Sequence, residues 1–301
     1  MPDLVRVVPE VRDRLVVRFG AGALAWCDAL PELVGRLAER WDLDVLAAGG
    51  GGTSRVFRCA RRGTAAAVWL KLTPEPAIAR EEAEALRAWT ATPAVVGLLE
   101  SDLSAGALLL EDVQPGVPAG RLARGLPEVA GLLRGLRAAS PAPGGPSVLR
   151  PLSHRIAFLF DLAGRRLAAA GADDVSVRDL LDRARPAALE LAEGGPVGLV
   201  HGDLHPGNVL SGPGARLVAI DPRPAWGDPD YDAVDWVLGG ASDLRALEQR
   251  IGTLSALVPG LSSRRVLDWC RALAVLDAVP SLCAGRPDDA GTRFLRELSG
   301  G

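Results

Sequence analysis

Between residues 196 and 222 the chain reads P-V-G-L-V-H-G-D-L-H-P-G-N-V-L-S-G-P-G-A-R-L-V-A-I-D-P. Two apolar runs, 196–200 and 216–220, have the length and composition of short buried strands. The first opens into a loop that holds His201 and His205, two of the three histidines in the chain. Asp203 and Asn208 stand five apart around Pro206 and Gly207, residues that let the backbone turn and aim both side chains at one point. The second run delivers Asp221 to the end of a strand, and Pro222 follows at once. A carboxylate at a strand terminus beside another Asp and an Asn is a site for a hard, oxygen-seeking cation such as Mg²⁺.

A second feature lies far upstream. Lys71, in A-A-V-W-L-K-L-T at 66–73, is the sole lysine among 34 Lys and Arg residues. Heavy use of arginine makes lysine rare here, yet this position keeps an ammonium. With 48% hydrophobic and 24% charged residues over 301 positions, the chain is of a globular kind and long enough for two lobes. A net charge of −3 supplies no concentrated basic surface, so neither a nucleic-acid nor an anionic-membrane partner is expected. Cys27, Cys59, Cys270 and Cys283 show no C-x-x-C spacing and read as reduced thiols of a cytoplasmic protein. Neither a secretion signal nor an apolar run of membrane-spanning length is expected.

Residues 10–41 carry helical periodicity. The runs at 43–48, 54–60 and 65–72 read as strands around the block Gly49 to Gly52, and 77–89 as a helix charged on one face. Two more strands fit 95–102 and 105–112. A Pro- and Gly-rich linker follows near 112–118, and beyond it the pattern turns mainly helical. The expected fold class is α+β, with residues 1–112 a small antiparallel-sheet lobe and 113–301 a helical lobe.

The spacing H-x-D-x-x-x-x-N, then an apolar residue with I-D, preceded by a strand lysine and a helix glutamate, resembles the catalytic signature of the protein-kinase-like fold. H-G-D-L-H-P-G-N with I-D-P and G-D-P-D-Y-D is similar to the aminoglycoside phosphotransferases. The phrases L-K-L, L-R-A-W, L-L-L-E-D-V-Q-P-G and A-I-D-P-R-P-A-W-G-D-P resemble more narrowly the streptomycin 6-kinase and hydroxyurea phosphotransferase branch. The likeness runs over roughly residues 15–285.

That resemblance implies a bilobal enzyme using ATP and Mg²⁺. Asp203 is implied as the residue that accepts or orients the substrate hydroxyl proton, Asn208 and Asp221 as the metal ligands, and Lys71 as the contact to the α- and β-phosphates. Glu82, four before Leu86 on the apolar face of its helix, is the chosen partner of Lys71; spacing alone leaves Glu81 and Glu84 open. Backbone N–H groups of Thr53 and Ser54 would cradle phosphates, and backbone groups of Glu111 and Val113 would face an adenine edge. His205 sits where protein kinases often carry lysine, which implies contact with the transferred phosphate.

Asp228, Asp230, Asp232 and Asp235 crowd eight residues just after Asp221. Asp228 and Asp230 fit caps on the exposed N–H groups of a turn into a helix. Asp232 and Asp235 are the candidates to meet a cationic substrate. The expected activity is O-phosphorylation of a small molecule, an aminoglycoside of the streptomycin type, by a monomer or homodimer conferring antibiotic resistance. The alternatives are a kinase of another metabolite, of the hydroxyurea, homoserine, choline or sugar type, and a catalytically silent nucleotide-binding protein.

Overall fold

A computed structural model describes residues 2–50, 54–64, 66–122, 125–140, 144–172 and 174–300. The chain divides into two compact units, Met1–Thr90 with Val96–Gly116, and Ala91–Val95 with Val117–Gly301.

The first unit opens with three helices, α1 (Pro2–Val5), α2 (Pro9–Phe19) and α3 (Gly22–Arg40). The strands β1 (Leu43–Gly49), β2 (Arg55–Arg61) and β3 (Ala67–Leu72) follow, then α4 (Pro76–Ala88), β4 (Leu98–Asp102) and β5 (Ala107–Glu111). The sheet is antiparallel throughout, in the order β1-β2-β3-β5-β4. The chain leaves the meander after β3, passes through α4 to the edge as β4, and turns back so that β5 pairs with β3.

Alternation decides what each face of this sheet buries. Phe57, Cys59, Val68, Leu70, Leu72, Ala107 and Leu109 pack against Cys27, Leu30, Val34 and Leu37 of α3, residues spaced three and four apart on one helix face. Lys71 lies between Leu70 and Leu72 in sequence and therefore points to the other side. It pairs with Val56 on one neighbour and Leu108 on the other, so it sits in the middle of the sheet.

The second unit holds α5 (Leu126–Ala138), α6 (Leu152–Ala170), α7 (Val175–Glu193), α8 (Val234–Leu238), α9 (Leu244–Leu257), α10 (Ser263–Cys283) and α11 (Ala290–Gly300). Between α7 and α8 run β6 (Gly198–Val200), β7 (Val209–Ser211), β8 (Leu217–Ala219) and β9 (Ala225–Gly227), paired as two hairpin-like ladders, β6 with β9 and β7 with β8. Helix α10 contacts α6, α7, α9 and α11 and buries residues around much of its circumference, from Val266 and Trp269 to Val279 and Leu282, as a central helix must. Asp174, Asp243 and Ser262 cap α7, α9 and α10 through side-chain oxygens.

Strands β7 and β9 are three residues each and were not anticipated from periodicity, which needs a longer window. The excursion of residues 91–95 into the second unit is also new. Its cause is local: Ala219 N–H at the end of β8 donates to Ala94 O at 2.8 Å, and Val95 forms a parallel bridge with Ala219. Among the described residues no helix is long and apolar enough to cross a membrane.

Candidate active site

In the first unit Lys71 and Glu82 form a buried ion pair. Nζ lies 2.7 Å from Oε1 and 2.5 Å from Oε2 of Glu82, with the two residues 5% and 1% exposed. Of the three glutamates that spacing left open, Glu82 is the one that presents both oxygens to Nζ. It does so because it shares the inward face of α4 with Ala79, Ala83 and Leu86. A compact ammonium fits between such a carboxylate and a further anion, where a planar guanidinium would demand a fork geometry.

Asp112, just past β5, collects a second set of bonds. Trp69 Nε1 donates to its Oδ1 at 2.7 Å, and Gln114 and Arg58 donate to Oδ2 at 2.6 and 3.3 Å. Burial pushes this carboxyl up, but the three donors outweigh it and hold the group below the usual carboxylate range. The segment after β5 is thereby tied to β2 and β3. Glu111 N–H donates to Gly97 O at 3.0 Å, which leaves the carbonyl as the backbone group of Glu111 to meet a ligand edge; Val113 is half-buried beyond it. Ser54 is buried just before β2. Thr53 lies outside the described residues.

In the second unit the loop after β6 is built on its own backbone. Gly202 has φ +74°, and a Cβ there would meet Arg223 O at 2.1 Å, so only glycine fits between His201 and Asp203. His201 is wholly buried and its Nε2 lies 3.1 Å from Ile220 O. Burial drives this imidazole down to about 4, against the pull of Asp203 and Asp221, so it is neutral at pH 7 and serves as a brace. Asp203 Oδ2 accepts from Asn208 Nδ2 at 3.0 Å, and Asp203 Oδ1 accepts from Arg155 Nη2 at 2.7 Å.

Asn208 and Asp221 are brought to one end of the β7–β8 ladder. Val209 pairs with Ala219, and one step further out Ile220 N–H donates to Asn208 O at 2.9 Å, which places Asp221 next along the chain. Asp221 takes a left-handed backbone, φ +54°, a region that aspartate tolerates better than most residues with a side chain and that Asp42 also occupies. Because Asn208 commits its Nδ2 to Asp203, its Oδ1 is the atom left for a cation. An amide oxygen and a partly exposed carboxylate make a hard donor pair that suits Mg²⁺ completed by phosphate oxygens and water. Arg223 Nη2 lies 3.5 Å from Asp221 Oδ1.

A cavity of about 390 Å³ in the second unit holds Asp203, His205, Tyr231, Asp232 and Asp235 on one side, with Arg166 of α6 and Asp277 of α10 also in its wall. Asp232 corrects the expectation placed on it. Its oxygens accept from the consecutive N–H groups of His201 and Gly202 at 2.7 and 2.9 Å, so it supports the loop from behind and offers little to a substrate. Burial still pushes it up to about 6, against those two donors. Burial likewise raises Asp235, and burial with the charge of Asp235 raises Asp277. His205 accepts from Gly207 N–H through Nδ1, which fixes its neutral proton on Nε2, 4.0 Å from Asp203 Oδ2.

Asp228 takes the capping role expected of it, whereas Asp230 lies inside the turn and its carboxylate is turned to other elements. Asp228 Oδ1 accepts from Asp230 N–H at 3.0 Å, while its Oδ2 receives Arg265 Nε and Trp269 Nε1 at 2.7 and 2.8 Å. Asp230 receives Arg137 and the Ser262 N–H. Sequence reasoning missed Arg155, Asp112 and Asp277. Arg155 sits in the long amphipathic helix α6, where nothing local separates it from solvated charges and only the tertiary fold reveals its partners; Asp277 is the one charge in the apolar run 272–283 of α10, a local signal of a buried carboxylate.

The likeness to known proteins agrees with this geometry. A family model described as aminoglycoside/hydroxyurea antibiotic resistance kinase matches residues 40–285. A hydroxyurea phosphotransferase of Kitasatospora aureofaciens is 36% identical over 274 residues, covering 88% of this chain and 78% of that protein. A streptomycin 6-kinase of Streptomyces glaucescens is 33% identical over 278 residues, covering 83% of this chain and 82% of its own. Two solved structures share the fold: choline kinase LicA from Streptococcus pneumoniae, with TM-score 0.60 at 14% identity over 89% of this chain and 98% of that one, and a thermostable mutant of aminoglycoside phosphotransferase APH(4)-Ia in ternary complex with ADP and hygromycin B, with TM-score 0.55 at 20% identity over the same shares, 89% and 98%. With a kinase-like fold and a family match over most of its length, this chain is a phosphotransferase belonging to the aminoglycoside/hydroxyurea antibiotic resistance kinase family.

Proposed function

We propose that the chain transfers the γ-phosphoryl group of ATP to a hydroxyl of a small cationic molecule, an aminoglycoside of the streptomycin type. The observation that carries the substrate class is the cavity beside Asp203. Asp235 and Asp277 line it, and among the described residues neither forms an ion pair, so a bound ammonium or guanidinium would supply their missing counter-charge. Its volume of about 390 Å³ lies in the range of small-molecule sites. A relative named streptomycin 6-kinase supports the same reading.

Asp203 would take the hydroxyl proton as the alcohol oxygen bonds to the γ-phosphorus. The bond to the bridging oxygen breaks, and its electron pair departs on ADP. Such a transfer needs positioning and neutralisation of charge more than covalent help. Lys71 would meet the α- and β-phosphates, held upright by Glu82, while the N–H groups of Thr53 and Ser54 approach phosphate oxygens and the backbone of Glu111 and Val113 faces adenine. Asn208 and Asp221 would hold Mg²⁺, which neutralises phosphate charge when bound. His205 would donate from Nε2 toward the transferred group.

The test is a phosphorylation assay with ATP and Mg²⁺ on streptomycin, hydroxyurea, choline and homoserine, read by mass spectrometry, with Asp203→Ala as control. A product 80 Da heavier with streptomycin, abolished in the control, is expected on the mass of an added PO₃H unit. Transfer to hydroxyurea alone would replace the cationic substrate with an uncharged one. No transfer to any of them, with no thermal stabilisation by ATP and Mg²⁺, would favour the silent nucleotide-binding alternative.

A further inference from the structure

Asp203 is held from two directions. Asn208 Nδ2 bonds Oδ2 at 3.0 Å, and Arg155, from the first turn of α6, bonds Oδ1 at 2.7 Å through Nη2. The same guanidinium donates from Nε to Gly202 O at 3.0 Å. One edge of the planar fork therefore grips the main chain of one residue and the side chain of the next. That edge fixes the carboxylate relative to the loop backbone.

The orientation of an aspartate about χ2 is otherwise soft, because a terminal sp³–sp² torsion has broad wells. A carboxylate free to turn would spend much of its time with no lone pair aimed at an incoming hydroxyl. With one donor on each oxygen, the carboxylate plane is set before substrate arrives. The Arg155 side chain is 14% exposed, so its bonds are only partly open to competition from water. A lysine at this position would bring the charge without the two parallel donors.

We propose that Arg155 is a positioning residue for phosphoryl transfer, acting through Asp203 by locking its carboxylate plane between α6 and Asn208. The proposal rests on the reading of Asp203 as the group that receives the hydroxyl proton. Arg155 touches neither nucleotide nor acceptor in this role, so its removal lowers turnover and leaves binding nearly intact.

The experiment compares wild type, Arg155→Met, Arg155→Lys and Asp203→Asn in the full chain, with ATP, Mg²⁺ and streptomycin, and adds a crystal structure of Arg155→Met. The expected result is a kcat lowered about 30- to 100-fold in Arg155→Met with both KM values within about twofold, since small misplacements of a reacting group cost this much. Arg155→Lys recovers only part of the loss. In an Asp203→Asn background Arg155→Met adds no further loss, because the two residues act as a unit. The crystal structure shows the Asp203 carboxylate rotated or in two orientations.

A folded Arg155→Met with kcat within threefold of wild type would overturn the proposal. If that variant does not fold, an Arg155→Lys enzyme with wild-type kcat does the same. An unchanged Asp203 orientation in Arg155→Met overturns it whatever the acceptor. Absence of transfer by wild type, in contrast, counts against the proposed function and leaves the orientation measurement to decide the role of Arg155.

Discussion

Asp232 and His201 are joined by a bond between a side chain and a main chain: Oδ2 of Asp232 accepts from the His201 N–H at 2.7 Å, and both residues are buried. Their acid–base behaviour opposes. Burial holds His201 down to about 4, so the unfolded chain binds the extra proton and stability is lost as pH falls from 6.5 to 4. Burial lifts Asp232 to about 6, so here the folded chain binds the extra proton and stability is lost as pH rises from about 4 to 6. Each contribution is about 3 kcal/mol, and over the shared window they largely cancel.

Removing one of the two exposes the other. His201→Gln retains a side-chain donor toward Ile220 O but cannot titrate. Urea midpoints measured from pH 7 to 4 should show the variant losing less stability than wild type on acidification, by up to about 3 kcal/mol at pH 4. Parallel pH curves for the two proteins would mean that His201 is not held neutral.

The Lys71–Glu82 pair separates stability from activity. Glu82→Ala leaves a buried ammonium without its carboxylate and is expected to cost about 3 kcal/mol, with a raised KM for ATP. The double variant Lys71→Met with Glu82→Leu removes both charges and should recover most of that stability while transferring no phosphate. Denaturant midpoints alongside steady-state kinetics check both. A double variant with substantial transfer would remove Lys71 from the nucleotide site.

Gly202→Ala forces a methyl against the carbonyl of Arg223 at a backbone position with φ +74°. The obstacle is main chain on both sides, and Arg223 N–H is itself bonded to His201 O at 2.9 Å, so the loop has little room to yield. A loss of about 2–4 kcal/mol is expected, with kcat falling further than stability alone explains. Thermal unfolding and kinetics below the transition test this.

Asp277→Asn addresses the charge of the acceptor. It should raise KM for streptomycin about tenfold, which corresponds to about 1.4 kcal/mol, and leave KM for ATP and for uncharged hydroxyurea within about twofold. Equal effects on charged and uncharged acceptors would show that Asp277 shapes the cavity without reading charge.

Much of the architecture could be read from residue order, for reasons specific to each element. Lys71 stood out as the one lysine of an arginine-rich chain, at a strand position that the family resemblance assigns to phosphate contact, and Glu82 stood out because the helical period puts it with Leu86. Asp203, Asn208 and Asp221 announced themselves through spacing around Pro206, Gly207 and Pro222. Asp232 misled because a buried carboxylate that feeds on backbone N–H groups looks, in sequence, identical to one offered to a ligand. Arg155 gave no signal, since a charged residue in an amphipathic helix is ordinarily solvated, whereas Asp277, alone among apolar neighbours at 272–283, was legible as a buried charge and was passed over. Strands β7 and β9 escaped because three residues cannot display a period.

The brief passage of residues 91–95 through the second unit means that the chain changes unit at 90, at 95 and again at 116. No single cleavage can therefore divide the protein into its two halves: a break after Gly116 would leave the peptide that carries the Ala94 carbonyl on the wrong fragment, and the Ala219 amide at the base of the Asp221 turn without its acceptor. Attempts to express the halves separately should accordingly yield a helical fragment whose Asp221 turn is loosened, unless the short segment is supplied in trans.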